Sequence, residues 1–306
     1  MPPGATVVEV EGRQLSLSNL DKVLYPATGF TKGHVIDYYR RVAPALLPHL
    51  RGRPLTLKRY PDGTAGPHFY EKNCPSHAPP WVPTATVRGR GRGGEQEIRY
   101  CTAGDLATLV WLANLAALEL HPLLATGDDP DRPTVVAFDL DPGPPAGVVE
   151  SAGVALLLRR VLDDLGLAGF PKTSGSKGLQ VYVPLNRPHG YDDTKGFAHA
   201  LARLLAGRHP DQVVERMDKG LRRGKVLIDW SQNDRSKTTV CAYSLRAGEA
   251  PTVSAPLGWD EVEAAVGGRG PGLRFEAGDV LARVERRGDL FEPVLSLRQS
   301  LPRMAG

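Results

Sequence analysis

The run Val135-Val136-Ala137-Phe138-Asp139-Leu140-Asp141-Pro142-Gly143 limits what this chain can become more than any other stretch. Its apolar start reads as a buried strand, and Pro142-Gly143 stops it. Side chains alternate along a strand, so Asp139 and Asp141 share one face while Leu140 takes the other. Two adjacent carboxylates repel each other, and each is costly to dehydrate unless something positive lies between them. A hard divalent cation answers that need, since magnesium is held by one or two carboxylates plus substrate phosphates. The alternative is a pair of strand-end aspartates that hydrogen-bond the Pro-Gly turn. A second apolar run, Val226-Leu227-Ile228-Asp229-Trp230, delivers a third aspartate. If both strands join one sheet, Asp139, Asp141 and Asp229 offer oxygen ligands for two metal ions. Polymerases and nucleases transfer phosphoryl groups with that arrangement.

With 306 residues, 41% of them hydrophobic and 24% charged, the chain allows one large α/β unit or two lobes around a cleft. A net charge of +4 and a pI near 9.0 are compatible with nucleic acid without requiring it. No apolar run is long enough to span a bilayer and the N-terminus lacks an apolar signal core, so no membrane partner and a cytoplasmic place are expected. Cys74, Cys101 and Cys241 are odd in number and far apart, which implies no disulfide framework. His68, Cys74 and His77 have only a weak zinc spacing, with no CxxC pair.

Along the chain, Thr6–Val10 and Gln14–Leu17 read as a hairpin turning at Glu11-Gly12. Asn19, Asp21, Lys22 and Tyr25 follow in a loop that Pro26 and Gly29 keep from becoming helix. Thr31 caps a helix whose apolar face is Val35, Tyr38, Tyr39, Val42, Leu46 and Leu47. Lys32 then lies beside unpaired backbone N–H groups that suit a phosphate, or is a solvated lysine. Leu55–Tyr60 and His68–Tyr70 read as strands in which Lys58, Arg59 and Lys72 interleave with Phe69 and Tyr70. That pattern suits a surface that stacks bases, although aromatic pairs in strands also serve cores. Thr84–Val87 and Gln96–Tyr100 flank Arg88-Gly89-Arg90-Gly91-Arg92-Gly93-Gly94, expected as a mobile basic hairpin tip.

Asp105–Glu119 reads as an apolar helix ending at His121-Pro122. The Asp139 strand, a helix over Val148–Leu165 and a strand near Phe170–Thr173 make a βαβ unit. Ser174-Gly175-Ser176-Lys177-Gly178 precedes the strand Leu179–Pro184. Small residues there let backbone N–H groups approach a phosphate and Lys177 adds charge, while a plain turn is the alternative. After a helix over Thr194–Leu205, the residues Lys219, Arg222, Arg223 and Lys225 precede the Asp229 strand, and Gln232, Arg235, Lys237 and Arg246 follow it. Cationic groups on both sides of a carboxylate cluster match a polyphosphate bridged by metal. From Gly258 the chain reads as two short helices and a linker.

Asn19-Leu20-Asp21-Lys22-Val23-Leu24-Tyr25-Pro26, Phe69-Tyr70-Glu71-Lys72-Asn73, Phe138–Pro142, Ser174–Gly178 and Ile228-Asp229-Trp230 resemble, in that order, the polymerase domain of bacterial ATP-dependent DNA ligase D. That domain belongs to the archaeo-eukaryotic primase superfamily, and the resemblance runs from about Val10 to Pro256. It implies an α/β (α+β) primase-type fold with mixed sheets flanked by helices and a central active-site cleft. One catalytic domain is expected, with an N-terminal lobe over about 1–125, an RRM-like part over about 126–257 and a helical tail over 258–306. The implied activity is template-directed nucleotide addition preferring ribonucleotides and favoured by manganese (or magnesium), two ions being held by Asp139, Asp141 and Asp229.

By the same resemblance His121, Ser174, Gly175, Lys177, Gln232 and Arg246 would hold the NTP or dNTP. Phe69 and Tyr70 would stack at the nascent base pair with Lys58 nearby, and Asn19, Lys22 and Lys32 would grip the 5′-phosphate of a downstream strand. Expected partners are DNA with gaps, overhangs or 5′-phosphate ends, with Ku and an ATP-dependent ligase in end joining near the nucleoid. Three departures stand out: Gln180 where histidine is frequent, Gly248 where a second arginine follows Arg246, and a short stretch from His121 to Asp139. No ligase or nuclease sequence is present, so an excised domain or a stand-alone gap-filling polymerase of excision repair both stand. A two-metal nuclease leaves the Ser174–Gly178 loop without a role, and a bare end-binding scaffold gains nothing from three aspartates.

Overall fold

The computed structural model describes residues 5–91, 94–269 and 272–302. Thr6–Val10 (β1) and Arg13–Leu17 (β2) pair antiparallel, and Glu11 and Gly12 turn the chain at φ 50° and 74°. The expected loop holds a second small hairpin, Val23–Tyr25 (β3) with Phe30–Thr31 (β4), and Pro26 and Gly29 fall in its turn. Lys32–Leu50 (α1) follows, with Thr31 Oγ1 accepting from His34 N at 3.3 Å while Thr31 N donates to His34 Nδ1 at 3.0 Å. This reciprocal cap uses histidine where glutamate is common. Of the expected apolar face, Val35, Tyr38, Tyr39, Val42 and Leu46 are buried, and Leu47 is half-buried. Two of them are tied down at depth, Tyr38 OH donating to Tyr243 O at 2.8 Å and Tyr39 OH to Leu118 O at 2.6 Å.

Next come Leu55–Arg59 (β5), Phe69–Glu71 (β6), Thr84–Gly91 (β7), Gly94–Cys101 (β8), Leu106–Asn114 (α2) and Ala117–Pro122 (β9). β5 pairs antiparallel with β9 and β6, and with β8 at Leu55 alone. Two expectations change here. The ladder of β7 with β8 runs through Arg88–Gly91, so those residues are strand and not a tip; Arg92 and Gly93 lie outside the described residues. The helix expected to reach Glu119 ends at Asn114, and Ala116 at φ 58° turns the chain into β9. Glu119 and His121 therefore stand on a buried strand. A third correction concerns sulfur: Cys74 and Cys101 form a disulfide, and Cys241 lies buried outside it. Cys74 N donates to Arg99 O at 2.6 Å, which brings the two Cα atoms to 4.8 Å, within bridging range. A disulfide sulfur is no zinc ligand, so the His68, Cys74, His77 spacing has no such meaning.

The remaining elements are Val135–Pro142 (β10), Val148–Asp164 (α3), Phe170–Thr173 (β11), Leu179–Pro184 (β12), Tyr191–Arg208 (α4), Val213–Val214 (β13) and Val226–Asp229 (β14). Their sheet has the order β11-β12-β10-β14-β13. β10 and β11 are each antiparallel to β12, so they point the same way with β12 between them. The expected βαβ unit is thus a split one, and the βαββαβ order is the ferredoxin-like arrangement. Among the described residues three helices follow where two were expected: Trp259–Val266 (α5), Ala277–Arg287 (α6) and Pro293–Ser296 (α7).

Two compact units emerge. The first comprises Met1–Leu123, Thr238–Ser254 and Phe275–Gly288, and the second Leu124–Lys237, Ala255–Arg274 and Asp289–Gly306. In the first, α6 packs on α1. In the second, α5 packs on α3, where Arg159 Nη1 meets Glu263 Oε1 at 2.8 Å. Among the described residues no helix is long and apolar enough to cross a membrane.

Candidate active site

In the second unit, β10 is central because both of its edges are paired. Asp139 lies opposite Gln180 of β12 on one side and Asp229 of β14 on the other, and Gln180 lies opposite Lys172 of β11. Directly opposed residues project from the same face, so Lys172, Gln180, Asp139 and Asp229 form one row across the sheet, with Asp141 two residues further along β10. The register sets the three predicted aspartates on one face of the sheet. Loss of hydration, then the charge of Asp141, then that of Asp229 raise the Asp139 carboxyl to about 7, opposed by the Gln180 amide and the Lys172 ammonium. Lys172 is fully buried and its Nζ donates to Gln180 Oε1. Gln180, flagged as a departure, is therefore the link between a buried cation and Asp139.

Asp229 is engaged within its own segment. Its Oδ1 accepts from Ser231 N at 2.9 Å and Ser231 Oγ at 2.6 Å, and its Oδ2 from Gln232 Nε2 at 2.8 Å. Among the described residues no three His, Cys, Asp or Glu side chains stand gathered as a metal cluster. The donor chemistry nevertheless suits a hard cation: oxygen ligands only, crowded until one of them holds its proton near neutrality.

The Ser174–Gly178 loop is tighter than expected. Ser174 Oγ accepts from Ser176 N and Gly178 N at 3.2 Å each, and Ser174 N donates to Gly178 O at 2.9 Å. Those N–H groups are committed inside the loop, which leaves exposed Lys177 as its charged feature. A Cβ at Gly178 would run into Leu140 O, so this position must be glycine for the loop to lie on β10. Gly143 likewise has no room for a Cβ against Arg222 O, and its N–H donates to Lys225 O at 2.8 Å. The predicted basic segment is thereby stitched to the end of the carboxylate strand.

In the first unit, Phe69 and Tyr70 are 44% and 59% exposed, available for stacking and not part of a core. The Arg59 guanidinium lies 5.2 Å from the Phe69 ring centre and the Lys58 ammonium 5.5 Å from that of Tyr70. Behind them sits a residue that sequence reasoning missed, Glu119, which is 1% exposed. Its Oε2 accepts from Arg246 Nη1 at 2.8 Å and bonds His121 Nε2 at 2.9 Å. Its Oε1 accepts from Ala247 N at 3.1 Å, Tyr60 OH at 3.4 Å and Lys58 Nζ at 3.5 Å. One buried carboxylate thus gathers three predicted nucleotide contacts, Lys58, His121 and Arg246. Burial works against its charge, but His121, Arg246 and Lys58 win and hold it at about 2. Arg246 Nε is buried with no partner among the described residues, a donor awaiting an acceptor.

The 5′-phosphate set also lies in the first unit. Lys32 N donates to Lys22 O and Gly33 N to Leu20 O, both at 2.8 Å, and His34 N goes to the Thr31 cap. The free N–H groups expected at the start of α1 are therefore used up by the loop folding back, with Asn19 at φ 53°. What remains is side-chain chemistry. Lys32 Nζ is buried and donates to Ser18 O at 2.7 Å; Lys22 Nζ pairs with Asp62 Oδ1 at 2.8 Å. Burial first, then the nearby charges of Lys22 and Arg59, lower the Lys32 ammonium to about 8. Lys22 and Arg59 are each paired, with Asp62 and Glu71, and Lys32 is the cation of the three without a carboxylate partner among the described residues.

Comparison with known proteins gives a consistent result. A family model described as the LigD primase-polymerase domain matches residues 31–291. The multifunctional non-homologous end joining protein LigD of Mycobacterium bovis is 43% identical over 289 residues, which cover 92% of this chain and 37% of that protein. The bifunctional non-homologous end joining protein LigD of Bacillus subtilis is 34% identical over 280 residues, covering 91% and 44%. The chain spans less than half the length of these relatives. Among solved structures, the polymerase domain of Mycobacterium tuberculosis ligase D in complex with DNA superposes with a TM-score of 0.85 at 40% identity, covering 93% of this chain and 99% of that one.

Proposed function

Because the chain belongs to the LigD primase-polymerase family, and is a nucleotidyltransferase of that class, we propose that it adds nucleotides to DNA 3′-ends under template direction in double-strand break repair by non-homologous end joining. Gap filling and end extension are its reactions, ribonucleotides its preferred substrates, and Ku and an ATP-dependent DNA ligase its partners.

The observation that carries this reading is the register that sets Asp139 opposite Asp229, with Asp141 two residues on. Asp139, Asp141 and Asp229 would hold two manganese or magnesium ions. Such ions supply activation of the attacking 3′-hydroxyl and neutralisation of the departing pyrophosphate. Lys172 and Gln180 hold Asp139 in place on the row. In the first unit Lys58, His121 and Arg246 are the phosphate-binding set; in the second, Ser174, Gly175, Lys177 and Gln232 are. The unpartnered Nε of Arg246 supports an anionic ligand on the first-unit set. Phe69 and Tyr70 stack on bases, which their exposure permits. Asn19, Lys22 and Lys32 bind a downstream 5′-phosphate through side chains alone.

The test is a gapped template with a labelled primer, manganese and NTPs. Primer extension is the expected result. Primer shortening would make the protein a nuclease, and a mobility shift with neither would make it an end-binding scaffold.

A further inference from the structure

A buried carboxylate that can only accept hydrogen bonds dictates the tautomer of any histidine bonded to it. Glu119 is ionised across the working pH range, so His121 Nε2, 2.9 Å from it, carries a hydrogen and donates. In a neutral ring Nδ1 is then a bare acceptor, and among the described residues it has no hydrogen-bond partner. Neutral is also the favoured state of the free protein. Burial and the charges of Arg246 and Lys58 push the imidazole below its ordinary value, outweighing Glu119.

A triphosphate offers only acceptor oxygens. Against neutral His121 it would set one lone pair against another. We propose that nucleotide triphosphate capture is coupled to uptake of one solvent proton at His121 Nδ1, with Glu119 as the positioning residue that fixes Nε2–H and supplies the counter-charge. The inference rests on the reading that His121 meets the triphosphate. In the free state Glu119 is an anion and the ring neutral. In the bound state the ring is an imidazolium donating from Nε2 to Glu119 and from Nδ1 to phosphate, and the proton has come from water.

The groups facing this pair leave the assignment with one titrating member. Tyr25 on β3, Tyr39 on α1 and Tyr60 just after β5 are phenols pushed upward, chiefly by burial. Lys58 stays cationic, raised by Tyr60 and Glu119 against its own burial. Arg246 meets Glu119 through its guanidinium, and Tyr70 of β6 contributes a ring edge, its centre 6.1 Å from that of His121.

The experiment is calorimetric titration of the manganese-loaded protein with a non-reactive α,β-methylene NTP, in buffers of different ionisation enthalpy near pH 8. Histidine ¹⁵N spectra accompany it, with His121→Asn identifying the signal. The wild type should take up close to one more proton than His121→Asn, and its ring should pass from the Nε2–H form to imidazolium. Its apparent Kd should rise up to about tenfold per pH unit while the free ring is neutral. Glu119→Gln can still accept from Nε2–H but carries no charge; it should bind at least about tenfold more weakly and lose the extra proton. Glu119→Asp, which keeps the charge, should retain uptake and guards against a folding defect in the amide variant. If His121→Asn and Glu119→Gln bind the analogue as the wild type does, the triphosphate reading itself fails. If His121→Asn weakens binding but the wild-type ring stays neutral when bound, that reading stands and the proton coupling is overturned.

Discussion

Raising the pH from 7 to 9 should weaken recognition of a downstream 5′-phosphate while making the fold more stable, and both effects trace to Lys32. Its ammonium is held at about 8 by burial and by its neighbours Lys22 and Arg59. A terminal phosphate has its second pKa near about 6 and is a dianion throughout this range. A charge-assisted contact is worth about 1.5–3 kcal/mol, so gapped DNA with a 5′-phosphate should bind about tenfold or more tightly than its 5′-hydroxyl counterpart at pH 7. Above pH 8 binding must first recharge the lysine, which removes up to about tenfold of that preference per pH unit. An ordinary lysine would keep the preference until near pH 10.4. For stability the sign is opposite. Because the folded value lies below the unfolded one, the unfolded chain binds more protons between about 8 and the ordinary value of 10.5, so stability rises with pH in that window. Fluorescence anisotropy with the two DNAs at one fixed salt concentration, beside melting curves over the same pH series, reads both trends. Lys32→Arg should flatten the first, since arginine stays charged. A wild-type preference that is constant from pH 7 to 9.5 refutes the assignment of Lys32 to the phosphate.

Three further outcomes are expected. Asp139→Ala or Asp229→Ala should abolish primer extension and leave DNA affinity unchanged or slightly higher, because a negative charge near phosphates is lost; extension near the wild-type rate would remove the two-metal assignment. In matched kinetics with manganese, a ribonucleotide should be incorporated more readily than its deoxy counterpart, and a dNTP preference would count against the family's sugar choice for this chain. Gly178→Ala should cost about 1–3 kcal/mol by overpacking β10, visible as a melting point lower by a few degrees; an unchanged melting point would mean the loop can lift off the strand without penalty.

The aspartate row was legible because strand periodicity is short-range: apolar runs that end in Asp fix which face the carboxylates take, and the sheet needed only to pair them. The capped start of α1 was legible for the same reason. Glu119 was not. Residues 105–119 are apolar nearly throughout, and periodicity cannot separate a buried helix from a buried strand in such a run. The break depends on Ala116 at φ 58°, a conformation that alanine does not advertise. The helix-start N–H groups and those of the Ser174 loop look free in sequence because their acceptors, Leu20 O, Lys22 O and Ser174 Oγ, are supplied by folded loops. The Cys74–Cys101 bridge depends on the docking of residue 74 on β8, which an odd cysteine count conceals.

The threading of the two units bears on how this protein can be made and cut. Neither is a continuous stretch of chain: the polypeptide passes from one to the other after Leu123, Lys237, Ser254, Arg274 and Gly288. A ribosome releasing it from the N-terminus has already delivered the whole carboxylate sheet before Phe275–Gly288, and α6 with it, reaches the helix it packs on in the first unit. Completion of the first unit is therefore a late event in synthesis. A fragment ending at Pro256, where the motif-bearing region stops, would strip α6 from α1 and α5 from α3 at once. Fragments chosen from the motifs alone should be prone to aggregation, whereas ones that keep Arg287 and the residues after it should fold.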